Sequence, residues 1–450
     1  LSTPPPTPAR SELSSLLRLA GPVALSQLAV MAMSLVDTAV LGRGSVDDLA
    51  AASMGRAIVF AASAPAFGIG VATEPLAAQA VGAGEHGRAW AALVAANKAS
   101  AVATLASLPL ALGLVAALPL LGVDPHLLPK TFAFVLGQLP GIAAFGGYLA
   151  TRSFLQAYGR TTPILFAALV ANIVNAIACS VLVLGDRAFA WVGLGGTGFE
   201  GLGALGAGLS ASLGNLVLLA IMLLAARALR PKVPDPPMPA RTVLRLGLPI
   251  GLQLLAEIGV FSLASLLAGS LGAIVVSAHQ VALGLSSFTF MGALGVSGAT
   301  ATRVGYAVGE GRSALRPGLL GIGLGAVVML AGAFAFSFFP GPLVSIFSQD
   351  PEVVALGAQL LGIAAVFQLF DGVQVVAAGA LRGAGDVRFA FFANVGAHWL
   401  IGLPTSLLFG FTLGLGAPGI WYGLTLGLVT VSVLLAARFV WVARRPIARV

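Results

Sequence analysis

Three acidic residues stand where acids are rare. Asp37 lies in MSLVDT (residues 33–38), Glu257 in QLLAEI (253–258) and Asp371 in QLFDG (368–372), each inside an otherwise apolar run. A carboxylate near the centre of a membrane helix costs about 2.5 to 3.5 kcal/mol on insertion scales. Each therefore needs a polar cavity, a partner or a proton. No lysine or arginine is expected at a comparable mid-run position, so a fixed internal salt bridge is not the obvious compensation. Burial favours the neutral acid and a bound cation favours the carboxylate, so either route makes these positions exchange protons or cations. The plainer alternative is that they are protonated donors that stitch helices together.

Other polar residues share the apolar runs. Glu74, beside Pro75, falls near the end of a run and within reach of interfacial water. Asn172 and Asn175 share one run, where amides bridge helices or offer neutral oxygens to a cation. His279 and Gln280 open another, where an imidazole either shuttles protons or caps an interface. Gln27, in the first run, is grouped with these as a supporting polar or cleft residue.

The elements that must position these groups follow from composition. Of 450 residues, 58% are hydrophobic and 9% charged, against about 25% charged in soluble domains. Apolar stretches of about 20 residues, enough to cross a core about 30 Å thick, recur along the chain without the two-residue alternation of a β-barrel. The fold class expected is all-α integral membrane, with spans at 17–41, 52–79, 91–121, 131–157, 162–184, 203–227, 244–268, 274–304, 316–338, 353–381, 388–410 and 416–442. The 58 glycines and 26 prolines sit inside these runs, where small residues permit close helix approach and prolines kink. The polar, proline-rich start does not resemble a cleavable signal, so the first run is expected to insert as an anchor.

Charge placement gives the orientation. With the first span starting inside, all of the 24 Lys and Arg residues except Arg43, Arg56, Lys130 and Arg187 fall on the inner side, so both termini are expected in the cytoplasm. The net charge of +8 is thereby assigned to topology, and no nucleic-acid partner is expected. The single cysteine, Cys179, allows no internal disulfide.

The chain also repeats itself. LRLAGP (17–22) returns as LRLGLP (244–249), Gly42 as Gly269, and AVGAG (80–84) as AVGEG (307–311), all at an offset of 227 residues; LQAYG (155–159) and LRGAG (381–385) are offset by 226. Twelve transmembrane helices are thus expected as two six-helix lobes related by a pseudo-two-fold along the membrane normal. The domains would be a tail at 1–16, an N-lobe at 17–229, a proline-dense linker at 230–240, a C-lobe at 241–442 and a tail at 443–450.

No phosphate-binding P-loop, His-Glu-x-x-His or Cys-x-x-Cys motif occurs, so nucleotide-driven work by this chain is not expected. The chain instead resembles the multidrug and toxic compound extrusion (MATE) family, NorM-like branch. The likeness is carried by VDT (36–38) before Gly42, AVGAG (80–84), FLQAYG (154–159), Pro249 with Glu257, His279 with Gln280, and FDG (370–372) before LRG (381–383), and it covers about residues 14–440. It implies two six-helix lobes around a V-shaped cleft, exchanging organic cations for Na+ or H+. It also implies that Glu257 and Asp371 form the C-lobe cation site, where Na+ could bind, that Asp37 is the N-lobe acid, and that Asn175 accompanies it. The second accompanying position falls at Cys179, a departure that leaves one oxygen fewer there.

The function expected is secondary active multidrug export, in which organic cations or other amphipathic drugs are antiported by alternating access, by a monomer in a bacterial inner membrane. No cofactor beyond the coupling ion and no enzymatic activity are expected. The alternatives are a lipid-linked precursor flippase, which would call for mid-span arginines, and, more remotely, an intramembrane hydrolase built on Asp37, Glu257, Asp371 and His279.

Overall fold

Without water in the bilayer core, a spanning segment must satisfy its own backbone, which forces apolar runs into helices. A computed structural model describes residues 9–190, 198–232 and 236–450; the first part of the expected N-terminal tail and the centre of the expected linker lie outside them. Among the described residues all regular structure is helical, and twelve helices are long and apolar enough to cross a membrane. They are α1 (Glu12–Gly44), α2 (Val46–Gly82), α3 (His86–Ala116), α4 (Pro125–Ala157), α5 (Thr162–Leu184), α6 (Gly203–Arg227), α7 (Ala240–Ser270), α8 (Ala273–Gly309), α9 (Leu315–Phe338), α10 (Pro351–Ala384), α11 (Val387–Thr412) and α12 (Gly416–Ala443). The all-helical, twelve-span class expected from hydropathy is the one observed.

The helices mostly overrun the apolar spans, because hydropathy registers only the hydrocarbon core while hydrogen bonding continues into the interface. The third span is a correction. It stops at Ala116 instead of 121, because the chain tightens into a 3-10 turn containing Pro119 and ends on Gly122 in the left-handed region, φ 81°. A turn at Ala72 also interrupts α2.

Two compact units emerge. One holds the chain up to Gln27, Glu74–Glu85 and Leu252–Val450; the other holds Leu28–Thr73 and His86–Gly251. In the first, buried Val260, Phe367, Trp421, Leu428 and Phe439 belong to one apolar core, and Leu16, Ala293, Met329 and Val376 to a second.

In the second unit the packing depends on absent side chains. A Cβ on Gly55 would stand 2.5 Å from the Phe134 ring, and one on Gly141 2.5 Å from Ser212 Cα. Where α4 meets α6, one hydroxyl bonds two backbone groups of α4. Gly141 N donates to Ser212 Oγ at 2.9 Å, and that hydroxyl donates to Gly137 O at 2.7 Å. Both contacts lie beside Pro140, inside α4.

The helix carrying Asp371 is set by its ends. Asp350 Oδ1 accepts from Glu352 N at 2.8 Å and Val353 N at 3.3 Å, Pro351 occupies the first turn, and Gly385 at φ 85° closes the far end. Such a cap contributes about 1 kcal/mol.

Candidate functional site

Helix α7 brings Glu257 into the first unit, and α10 and α11 bring its neighbours. Gln374 Nε2 of α10 approaches Glu257 Oε1 at 3.5 Å, and Asn394 Nδ2 of α11 approaches Oε2 at 3.4 Å. Both distances are at the long limit for hydrogen bonds, so the amides border the carboxylate without clamping it. The second acid, Asp371, is buried three residues before Gln374 on α10 and lies within electrostatic reach of Glu257. The amide oxygens Gln374 Oε1 and Asn394 Oδ1 are buried with no hydrogen-bond partner among the described residues. Two carboxylates and two amides are thus neighbours in one unit, and oxygen-bearing groups of this kind are what hard cations take as ligands.

Around this group the backbone departs from regular α-helix. Residues Gly396–Gly402 of α11 form a π-helical stretch directly after Asn394, a distortion found often at functional sites. Trp399 Nε1 in that stretch donates to Ala256 O at 3.0 Å, fixing α11 against the turn that carries Glu257. His398 is buried there beside Phe261, with both ring nitrogens unpartnered.

His279 is differently placed. Trp421 Nε1 donates to its Nδ1 at 3.1 Å, which leaves the proton on Nε2 to be donated to Ser265 Oγ at 3.0 Å. Both nitrogens are thus engaged by neighbouring side chains. Gln280 is exposed on α8, and Gln27 is half-buried in α1.

In the other unit Asp37 is buried in α1, with Asn175 and Cys179 of α5 beside its carboxyl. Among the described residues, Asp37 Oδ1 and both Asn175 amide atoms lack a geometrically sound hydrogen bond. Cys179 also neighbours Ser210 of α6, so a hydroxyl stands close to the position where the expected second oxygen is missing. Asn172 is used for packing: its Nδ2 donates to Ala29 O and Ala168 O, both at 2.8 Å.

One expectation is corrected here. Arg56 is ten residues inside α2, and its guanidinium acts electrostatically on Asp37 while donating to the hydroxyl and carbonyl of Ser34. Asp37 therefore does have a cationic neighbour within the helices. Sequence reasoning also passed over Gln374, Asn394 and His398, although each is a polar residue in an apolar run and that signal was available.

Glu74 is buried and paired. Arg382 Nε donates to its Oε2 at 3.0 Å, and Arg382 Nη2 reaches Ser297 Oγ at 3.1 Å. Glu12, also buried, accepts two bonds of 2.7 Å from the Arg303 fork, the bidentate geometry that suits arginine and carboxylate.

Comparison with known proteins adds an independent line. The MatE family model matches residues 22–181 and 249–408. The two matched stretches are displaced by 227 residues, the offset of the sequence repeats. A probable multidrug resistance protein NorM from Pseudomonas putida is 37% identical, with 98% of this chain and 96% of that protein covered. A probable multidrug resistance protein NorM from Deinococcus radiodurans is 36% identical over 96% of each. Among solved structures, the eukaryotic MATE transporter AtDTX14 superposes with a TM-score of 0.84 at 20% identity, covering 97% of this chain and 98% of its own.

Proposed function

The chain belongs to the MatE family, in its NorM-like branch, and we propose that it is a secondary active multidrug exporter coupled to Na+ or H+ through the Glu257–Asp371 site. The observation that carries this reading is the group of four oxygen-bearing side chains in one compact unit, two of them carboxylates within electrostatic reach and two of them amides with unpaired buried oxygens. Two ionised carboxylates at such a site repel one another, and a proton or monovalent cation between them relieves the repulsion. An ion drives a conformational equilibrium only by binding one state more tightly than the other. The NorM and MATE names of the relatives point to drugs as the cargo, and the acidic character of the buried groups favours cationic, amphipathic ones.

The energy available is adequate. One elementary charge moving through the membrane potential supplies about 2.3 kcal/mol per 100 mV before any concentration gradient is added. Proteoliposomes loaded with a cationic dye test the reading, with Na+ and H+ gradients imposed separately. Uphill efflux driven by at least one gradient is expected, and efflux indifferent to both would overturn the coupling.

Asp37 is the second acid in this reading, a linkage residue whose neighbours are Asn175, Cys179 and Arg56. Asp37→Asn should reduce gradient-driven export while the purified protein keeps its monodispersity and melting temperature. Unimpaired transport in every ion condition would reduce Asp37 to packing. The transporter names of the relatives favour transport over an enzymatic role. The excess of basic residues in the inner connections supports a cytoplasmic position for both termini and the linker in this reading.

A further inference from the structure

Arginine and tryptophan meet at one end of the first unit in an arrangement that export does not explain. On α12 the exposed side chains Leu426, Val433 and Trp441 recur every seven or eight residues, so they share one face, the face such a helix turns to lipid. Beyond Trp441 the exposed residues become Arg444 and Arg445. On α11 the same change occurs: one turn nearer the helix start than exposed Phe392 stands exposed Arg388. The two helix ends are neighbours, because Arg438 of α12 donates from Nε to Asp386 Oδ2 at 2.8 Å and stands 4.8 Å over the Phe389 ring. An apolar exposed surface thus gives way to a basic one at the same end of both helices. In a membrane protein such a step, with a tryptophan on it, marks the headgroup boundary.

The basic side of the step is held in place by aromatic rings. Arg438 and Arg445 both lie over Trp441, their guanidinium carbons 4.6 and 4.1 Å from the ring centroid, within the range of a cation–π contact. A guanidinium that stacks by its face keeps its N–H edge for a planar, two-point contact, the geometry that suits a phosphate. Arg438 spends part of that edge on Asp386; Arg445 is exposed and has the indole as its described partner.

Charge and shape together set the occupant. Among the described residues Asp386 is the one acid that pairs with any of Arg388, Arg438, Arg444 and Arg445, so four cations against one carboxylate leave an excess of three positive charges. Asp235, the one acid outside the described residues, cancels one of these at most. A soluble anion would use the cations alone, whereas a lipid also uses the apolar face that leads up to them.

We propose that this patch is a binding site for an anionic phospholipid, with the phosphate at Arg445 and an acyl chain along the face through Val433 and Leu426. A zwitterionic headgroup brings an ammonium into the same positive field, so an anionic headgroup is preferred, as at other basic clusters beside membrane helices. The proposal needs neither the coupling ion nor the cargo.

The test uses the full chain in neutral detergent, with phosphatidylglycerol and phosphatidylcholine of equal chain length added at equal, low concentration, and counts bound lipids by native mass spectrometry. Wild type should retain phosphatidylglycerol several-fold over phosphatidylcholine. Arg445→Gln should lose most of that preference, and so should Arg445→Lys, which keeps the charge but not the planar, stacked fork. Arg160→Gln, which removes an exposed cation of the other unit, should leave the preference unchanged. No preference in wild type, a preference that survives in Arg445→Gln, or a wild-type preference in Arg445→Lys would overturn the site, the last because net charge alone would then suffice. Displacement of the lipid by inorganic phosphate would also overturn it, in favour of a soluble anion. The readout needs no transport, so it stands or fails apart from the export reading.

Discussion

At Glu257 both carboxylate oxygens face amide N–H groups, whereas Asp37 keeps Oδ1 without a partner and has a guanidinium nearby. Glu74 and Glu12 are instead tied to arginines by direct bonds of 3.0 and 2.7 Å. The distinction separates acids held in fixed pairs from acids without one, and the proposed exchange role falls to the second group. A paired buried acid that loses its charge strands its partner, at a cost of about 3–5 kcal/mol for a fully buried pair. Glu74→Gln leaves Arg382, only 15% exposed at its side chain, with Ser297 as its remaining described partner. It should therefore lower the melting temperature clearly, while Glu257→Gln should not; thermal unfolding of the two variants in one detergent decides this. The acids themselves were legible in the sequence because charge is conspicuous in apolar runs. Arg56 was not, since a hydropathy window beginning at residue 52 reads it as the edge of a loop, while hydrogen bonding starts α2 at Val46.

Elements explain what residue types could not. Three-dimensional convergence of Gln374 and Asn394 on Glu257 depends on α11, whose π-helical stretch after Asn394 shifts the register from which a helix face would be extrapolated. Helix existence was easy to read, because twelve apolar runs leave the backbone one solution; the end of α3 was not, because Pro119 and Gly122 sit within an apolar stretch. The double contact of Ser212 was equally hidden, since a serine in α6 gives no sign that its hydroxyl bonds the backbone of α4. Ser212→Ala removes the acceptor of Gly141 N and should destabilise the protein by about 1–3 kcal/mol, the cost of a buried donor left unpaired. Thermal unfolding compared with Ser180→Ala, whose hydroxyl bonds only within its own helix, is the matching control. Equal melting temperatures for the two variants would show that the double contact carries no stability.

For the whole molecule, the repeat was the most informative reading, and the matched stretches at 22–181 and 249–408 keep its register. The acids do not follow it. Positions 227 residues from Asp37, Glu257 and Asp371 hold Ala264, Val30 and Ala144, so the copies share a scaffold but not their chemistry. Duplicated packing therefore predicts the fold and says nothing of where the proposed exchange site lies. Orientation belongs to this scale as well: with Cys179 replaced, single cysteines at residues 236–240 and in either tail should react with impermeant reagents only from the cytoplasmic side, and labelling of the linker from outside would reverse the assignment of every loop. The central claim is that Glu257 and Asp371 act as one coupling site. Gradient-driven drug efflux and equilibrium drug binding, measured side by side on Glu257→Gln, Asp371→Asn and the double variant, test it most directly. Each single change should abolish driven efflux while weakening binding far less, and the double change should be little worse than either, because groups acting as a unit are not additive. Near-normal driven efflux in both single variants would contradict the site.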